Sequence, residues 1–180
     1  MKKKIIGYGS LLNPDGWNKT LSREIQINDI EYVNIIDHVR TWTAFVDVEV
    51  NGNKIEACFL DLSKELGRYV SGSAVEVNDE EFNEIAIREQ NYDMIDVTDY
   101  LIEKEAGFRY FTAIAPSKEP REKEKAYVLK GYLDIVDNAL KDLDLSITNL
   151  YEATTKKPEY PIIEGKYKFL NEEINKRTGR

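Results

Sequence analysis

Two short stretches of this chain carry residue types that could do chemistry. The first is Tyr8-Gly9-Ser10-Leu11, which follows the apolar run Ile5-Ile6-Gly7 and precedes the turn cluster Asn13-Pro14-Asp15-Gly16. A buried strand that empties into a glycine-containing turn leaves backbone N–H groups open, and such groups can hold a small anion or a carboxylate. Ser10 adds a hydroxyl. The plain alternative is that Gly7 and Gly9 only shape a strand end. There is no Gly-x-Gly-x-x-Gly and no Gly-Lys-Ser/Thr, so neither a dinucleotide nor a nucleoside triphosphate is indicated.

The second stretch centres on Glu89. Phe82, Ile85 and Ala86 share one face of a predicted helix, and Glu89 is the next position on that face. Burial disfavours the charged carboxylate, and so does the C-terminal end of a helix. Both effects predict a raised pKa, which suits a group that takes a proton and gives it back. The alternative is structural: Glu89 pairs with a buried Lys, Arg or Tyr, or the helix ends and the side chain reaches solvent.

The elements that must position these residues follow from pattern. Ile30–Ile36, Trp42–Val50, Ile55–Leu62 and Tyr69–Val77 read as strands. Asn51-Gly52 between two such runs predicts a type I′ hairpin. Gly72 inside a strand predicts a bulge or a close approach by backbone or ligand. Asn78-Asp79-Glu80-Glu81 predicts a helix start, with Asn78 as cap and Glu81 completing a capping box, running to Glu89 or Gln90. Tyr92–Thr98 and Phe108–Ala115 read as further strands. From Arg121 the spacing of Leu129, Leu133, Val136, Leu140 and Leu143 predicts one long amphipathic helix over about Glu122–Leu143. Ser146–Ala153 and Tyr167–Lys176 read as shorter helices. The expected fold class is α+β, a mostly β front with helices packed on it. The 180 residues fit one domain.

Bulk properties narrow the chemistry. A formal net charge of −8 argues against a general binder of nucleic acid. Lys2-Lys3-Lys4 is followed by too short an apolar run for a signal peptide or a membrane helix, and the single Cys58 allows no intrachain disulfide, so a cytoplasmic protein is expected. His38 is the only histidine. Both His38 and Cys58 sit in strand-like surroundings and read as packing residues. Asp93, Asp96 and Asp99 could suggest a metal but no second cluster completes a site, so no metal is expected, and acid–base work falls to carboxylates and tyrosines.

Read together, Tyr8-Gly9-Ser10-Leu11 after the first strand and Arg88-Glu89-Gln90-Asn91-Tyr92 between a helix and a strand resemble the γ-glutamylcyclotransferase superfamily. The Arg-Glu-x-x-Tyr run followed by Asp96-Val97-Thr98 looks most like its glutathione-degrading branch. The resemblance covers about residues 4–115 and leaves 121–180 as a helical extension. It implies a small mixed β-barrel with surrounding helices. It also implies a substrate cradle at Tyr8, Gly9, Ser10 and Leu11, Glu89 as general acid/base, and Tyr92 as a pocket wall or hydroxyl partner. The implied substrate is a small γ-glutamyl compound, cyclised to 5-oxoproline with release of an amine, and no cofactor is required. The competing reading is a non-catalytic small-ligand-binding or interaction protein on the same fold. Nothing in the sequence sets an oligomeric state.

Overall fold

The computed structural model describes residues 1–117, 119–122 and 125–178. Strand β1 (Lys2–Gly7) lies between β3 (Asn53–Val77), antiparallel, and β5 (Phe108–Ile114), parallel. Strand β2 (Ile30–Val50) and β3 form one long hairpin, and β4 (Asp93–Asp96) borders β5. The order β4-β5-β1-β3-β2-β8 gives a strongly curved mixed sheet, with β8 (Tyr167–Phe169) on β2. Strand β6 (Ala126–Leu129) joins the first half of β3, and β7 (Ile162–Ile163) joins β6. The fold is α+β, as expected, but the barrel is not strictly closed. Among the described residues no ladder joins β4 to β8.

The four expected front strands are two long ones. The ladder is interrupted where Ile36 pairs with Tyr69 but His38 pairs with Lys64, and the intervening Glu65–Arg68 bulges outward. Asp37 takes φ 56° there, and its carboxylate accepts from Gly67 N–H at 2.9 Å. At the far end Asn51 and Gly52 both take positive φ, 50° and 83°, as a type I′ turn requires. Gly72 is a point of close approach: a Cβ there would lie 2.9 Å from the Gly7 carbonyl oxygen.

Helix α2 (Asp79–Arg88) begins with the expected capping box. Asn78 Oδ1 accepts from Glu81 N–H, and Glu81 accepts from Asn78 N–H, both at 2.9 Å. Pro14–Asn18 forms the short helix α1.

The expected helix over Glu122–Leu143 is corrected. Lys123 and Glu124 lie outside the described residues; the rest divides into strand β6 and helix α3 (Lys130–Lys141). Ala126-Tyr127-Val128-Leu129 is a short apolar run that pairs with Glu56–Cys58, and an open ladder edge overrode the helical spacing. Helix α4 (Leu145–Ala153) follows. The expected helix over Tyr167–Lys176 likewise divides into β8 and helix α5 (Glu172–Thr178). The segment from Arg121 is therefore only partly helical, and it contributes three strands to the sheet. No helix among the described residues is long and apolar enough to cross a membrane.

Candidate active site

Where β1 ends, the chain turns across the top of the sheet, and its carbonyls are bound from behind. Arg40 Nε donates to the Tyr8 carbonyl at 2.8 Å. Tyr32 Oη donates to the Leu12 carbonyl at 3.1 Å, and Ser73 Oγ donates to the Leu11 carbonyl. Ser73 is itself held by the buried Trp17 indole N–H at 3.0 Å. Among the described residues no acceptor pairs with the N–H groups of Gly9, Ser10 or Leu11. With the carbonyls taken on one side, these amides stay open as donors.

Helix α2 delivers the second element. Glu89 is its C-cap residue: its N–H bonds the Ile85 carbonyl at 2.8 Å, and its carbonyl accepts from Tyr92 N–H at 2.8 Å. The side chain is fixed at a helix end rather than on a mobile loop. Arg88, 7% exposed, joins the two stretches. Its Nη2 donates to Ser10 Oγ at 2.9 Å, its Nη1 donates to Thr20 Oγ1, and its Nε lies 3.1 Å from Glu89 Oε1. Residues far apart in the chain are thus locked by one planar guanidinium, the geometry for which Arg is suited and Lys is not.

Tyr8, Gly9, Ser10, Leu11, Glu89 and Tyr92 all line one cavity of about 760 Å³, its open mouth included. Tyr8 Oη donates to the Ala113 carbonyl at 2.5 Å. Burial, then the neighbouring Asp61, pushes the Tyr8 phenol well above its ordinary value of 10; burial does the same for Tyr92, with Tyr132 and Glu89 adding to it. Both hydroxyls stay protonated at neutral pH, and Tyr8 donates to the Ala113 carbonyl.

Three contributors were not visible in the sequence. Tyr132 of α3 brings its hydroxyl against the loop, so that a Cβ at Gly9 would meet Tyr132 Oη at 2.7 Å. Its ring packs edge-on to Phe59 and Trp42. Arg40 is fully buried and ties the loop to the end of α4, with bonds to the Ser71 carbonyl, to the Tyr151 carbonyl at 3.3 Å and to Thr155 Oγ1 at 2.7 Å. Its guanidinium also stacks on Tyr151, 3.8 Å from the ring centroid. Burial lowers Arg40 to about 10, which still leaves it charged at neutral pH. Finally, Phe169, Ile174 and Thr178 line the cavity from β8 and α5. The only signal for Arg40 was a cation within a strand pattern, Arg88 was visible only as the first residue of the Arg-Glu-x-x-Tyr run, and nothing distinguished Tyr132 from other core aromatics.

His38 and Cys58 lie elsewhere. His38 Nδ1 is bonded to the Ile36 carbonyl at 2.8 Å, and its ring packs edge-on to Tyr100. Cys58 Sγ donates to the Trp42 carbonyl at 3.0 Å, and burial pushes its thiol to about 12. Asp96 accepts from Thr98 and pairs with Arg109. Among the described residues no group of three or more His, Cys, Asp and Glu is placed to hold a metal.

No protein-family profile and no curated protein matches the sequence. Solved structures do match. A γ-glutamyl cyclotransferase aligns over all of both chains at 14% identity with a TM-score of 0.58. An uncharacterized protein from Homo sapiens aligns over 99% of each chain at 15% identity and 0.57. A yeast γ-glutamyl cyclotransferase specific to glutathione aligns over 88% of this chain and 99% of its own at 11% identity and 0.53. The chain shares the fold of these γ-glutamyl cyclotransferase structures. The first two alignments run through the C-terminal tail, so the likeness extends beyond the residues 4–115 that the sequence motifs covered.

Proposed function

We propose that this chain is a γ-glutamylcyclotransferase-type enzyme, which cyclises the γ-glutamyl group of a small conjugate to 5-oxoproline and releases the amine. The observation that carries this reading is the Arg88 fork, which holds Ser10 of the loop and the Glu89 carboxylate beside one cavity. The fold supports it.

The chemistry needs few groups. Glu89 accepts a proton from the substrate's α-ammonium, and the freed amine attacks the γ-carbonyl carbon. A carbon–nitrogen bond forms and the carbonyl electron pair moves to oxygen. The N–H groups of Gly9 and Ser10 suit that oxyanion, and donors fixed before the reaction need no reorganisation. Collapse breaks the bond to the leaving nitrogen. That nitrogen takes one proton from Glu89 and one from the new ring nitrogen, and departs as an ammonium. Holding the chain folded on itself for ring closure contributes roughly 7–11 kcal/mol in well-oriented intramolecular reactions. Tyr92 is a hydroxyl donor beside Glu89, and the reaction calls on no cofactor.

The test is 5-oxoproline release from glutathione, γ-glutamyl amino acids, γ-glutamylamines and γ-glutamyl-lysine, with Glu89→Gln as the control. Release that falls by about 10³-fold in the variant is expected for loss of a general acid/base. Full activity in Glu89→Gln would remove Glu89 from the mechanism. The ion pair between Arg88 and Glu89 favours one second reading, a ligand-binding protein in which Glu89 is structural. Tight binding of a γ-glutamyl compound without turnover would establish that reading instead.

A further inference from the structure

The cavity has two neighbours, and they differ. On the loop side a polar hollow lined by Asn13, Asp15, Lys19 and Asp142 adjoins it, but the Ser10–Arg88 hydrogen bond closes the wall between them. On the other side lies a groove. Val46, Asn91, Phe169 and Ile174 line both spaces, so the groove adjoins the cavity along these four side chains.

The groove is apolar near the cavity, and the acids of its rim, Asp47 and Glu56, are paired with Lys54 and Arg121. Ile174 is 3% exposed and packs inward from α5. Phe169 stacks on Phe59, with ring centroids 5.6 Å apart. Phe45 and Leu170 extend the apolar surface outward. The rim carries Asp47, Glu56 and Glu119, with Arg121 as the cation among its described residues. Arg121 is already bound, through Nε to Glu56 at 2.9 Å and through Nη2 to Asp47.

Resting on the cyclotransferase reading, we infer that β8 and α5 build a leaving-group subsite for amines with an apolar, uncharged side chain. Val46, Phe169 and Ile174 form its walls, and Asn91 supplies a hydrogen-bonding amide. A carboxylate on the leaving amine, as in an amino acid or peptide, would be set against apolar side chains, with the nearby cations Arg121 and Lys54 already paired with Asp47 and Glu56. Desolvating it there without a partner is unfavourable. A phenyl or branched alkyl group would replace water on the same surface.

Two conjugates that differ by one carboxylate test this: γ-glutamyl-2-phenylethylamine and γ-glutamylphenylalanine. The expected kcat/KM is at least about tenfold higher for the first, one factor of ten for each ~1.4 kcal/mol of discrimination. Ile174→Lys supplies a cation to the wall and is expected to bring the ratio to one or below. Val46→Lys, on the half-buried strand wall opposite, is the second variant should the helix substitution unfold the protein. Binding of both conjugates to Glu89→Gln, measured by calorimetry, reads the subsite without turnover. A ratio at or below one in the wild type, with 5-oxoproline released from both, overturns the subsite and leaves the reaction standing. Binding with the expected preference but no 5-oxoproline from either overturns the reaction and leaves the subsite. No binding of either conjugate overturns both.

Discussion

The wall that carries Ser10 and the wall that carries Ile174 face the same cavity, but polar bonds hold the first and apolar packing holds the second. Behind Ser10, Arg40, Tyr32 and Ser73 donate to loop carbonyls, the buried Trp17 indole holds Ser73, and buried Arg88 donates to the hydroxyls of Ser10 and Thr20. Behind Ile174 stand a three-residue strand and a seven-residue helix, tied at the surface by Arg177 to Glu84 at 3.7 Å and by Asn171 to Gln90 at 3.1 Å. Directional bonds fix atoms to a few tenths of an ångström, as a reacting group demands. Apolar contact is tolerant of shape, as a variable leaving group demands. On the proposed cyclotransferase reading, the chain would separate precision from selectivity by the kind of interaction it uses in each wall.

The comparison breaks most visibly at Arg40. Arg40→Met would remove this donor from the buried carbonyls of Tyr8 and Ser71, while the Tyr151 carbonyl keeps Thr155 Oγ1 at 2.6 Å. Unsatisfied buried groups cost about 1–3 kcal/mol each, so a loss of roughly 3–4 kcal/mol is expected. For a chain of this size that is a Tm lower by roughly 10 °C by calorimetry. A Tm unchanged within about 2 °C would mean that the loop does not depend on Arg40.

Arg88 comes next. Arg88→Met should lower kcat/KM by about 10²-fold, and Arg88→Lys should recover little, since an ammonium cannot reach Ser10, Thr20 and Glu89 from one plane. Recovery by Lys would show that only charge matters there. Gly9→Ala is smaller. The added Cβ would press on Tyr132 Oη, and a loss of about tenfold in kcat/KM is expected. Tyr132→Phe removes the obstructing oxygen, so Gly9→Ala with Tyr132→Phe should be more active than Gly9→Ala alone. Additive losses in this cycle would mean that the two positions do not meet.

How far the site was legible follows from where each interaction lies. The type I′ turn at Asn51-Gly52 and the capping box at Asn78 and Glu81 are local, so a few adjacent residues define them. Glu89 stood out because it broke the apolar face that Phe82 and Ile85 began. Its partner Arg88 is adjacent in sequence, yet the bond that matters joins Arg88 to Ser10, and no periodicity encodes a contact across the sheet. The tail was misread for the same reason. Ala126–Leu129 has a pattern compatible with a buried strand or a buried helix, and the free edge of β3 decided between them. Tyr132 and Phe169 looked like core aromatics because, apart from facing the cavity, they are.

The smallest expected effect tests the tolerant wall. Asn175 clamps α5 to β8: its Oδ1 accepts from Phe169 N–H at 2.7 Å, and its Nδ2 donates to the Phe169 carbonyl at 2.8 Å. The remaining ties of α5 to α2 are exposed or half-buried polar contacts, and surface pairs of this kind contribute about 0–1 kcal/mol. Asn175→Ala should therefore loosen the tail without touching the loop. The expected result is a KM about threefold higher for an apolar conjugate with kcat unchanged, because only ground-state and transition-state binding common to the leaving group is lost. Amide hydrogen exchange should quicken in α5 and stay as slow as in the wild type in β1 and α2. A fall in kcat, or faster exchange reaching β1, would show that the two walls are coupled and that the division between precise and tolerant sides is not built into this fold.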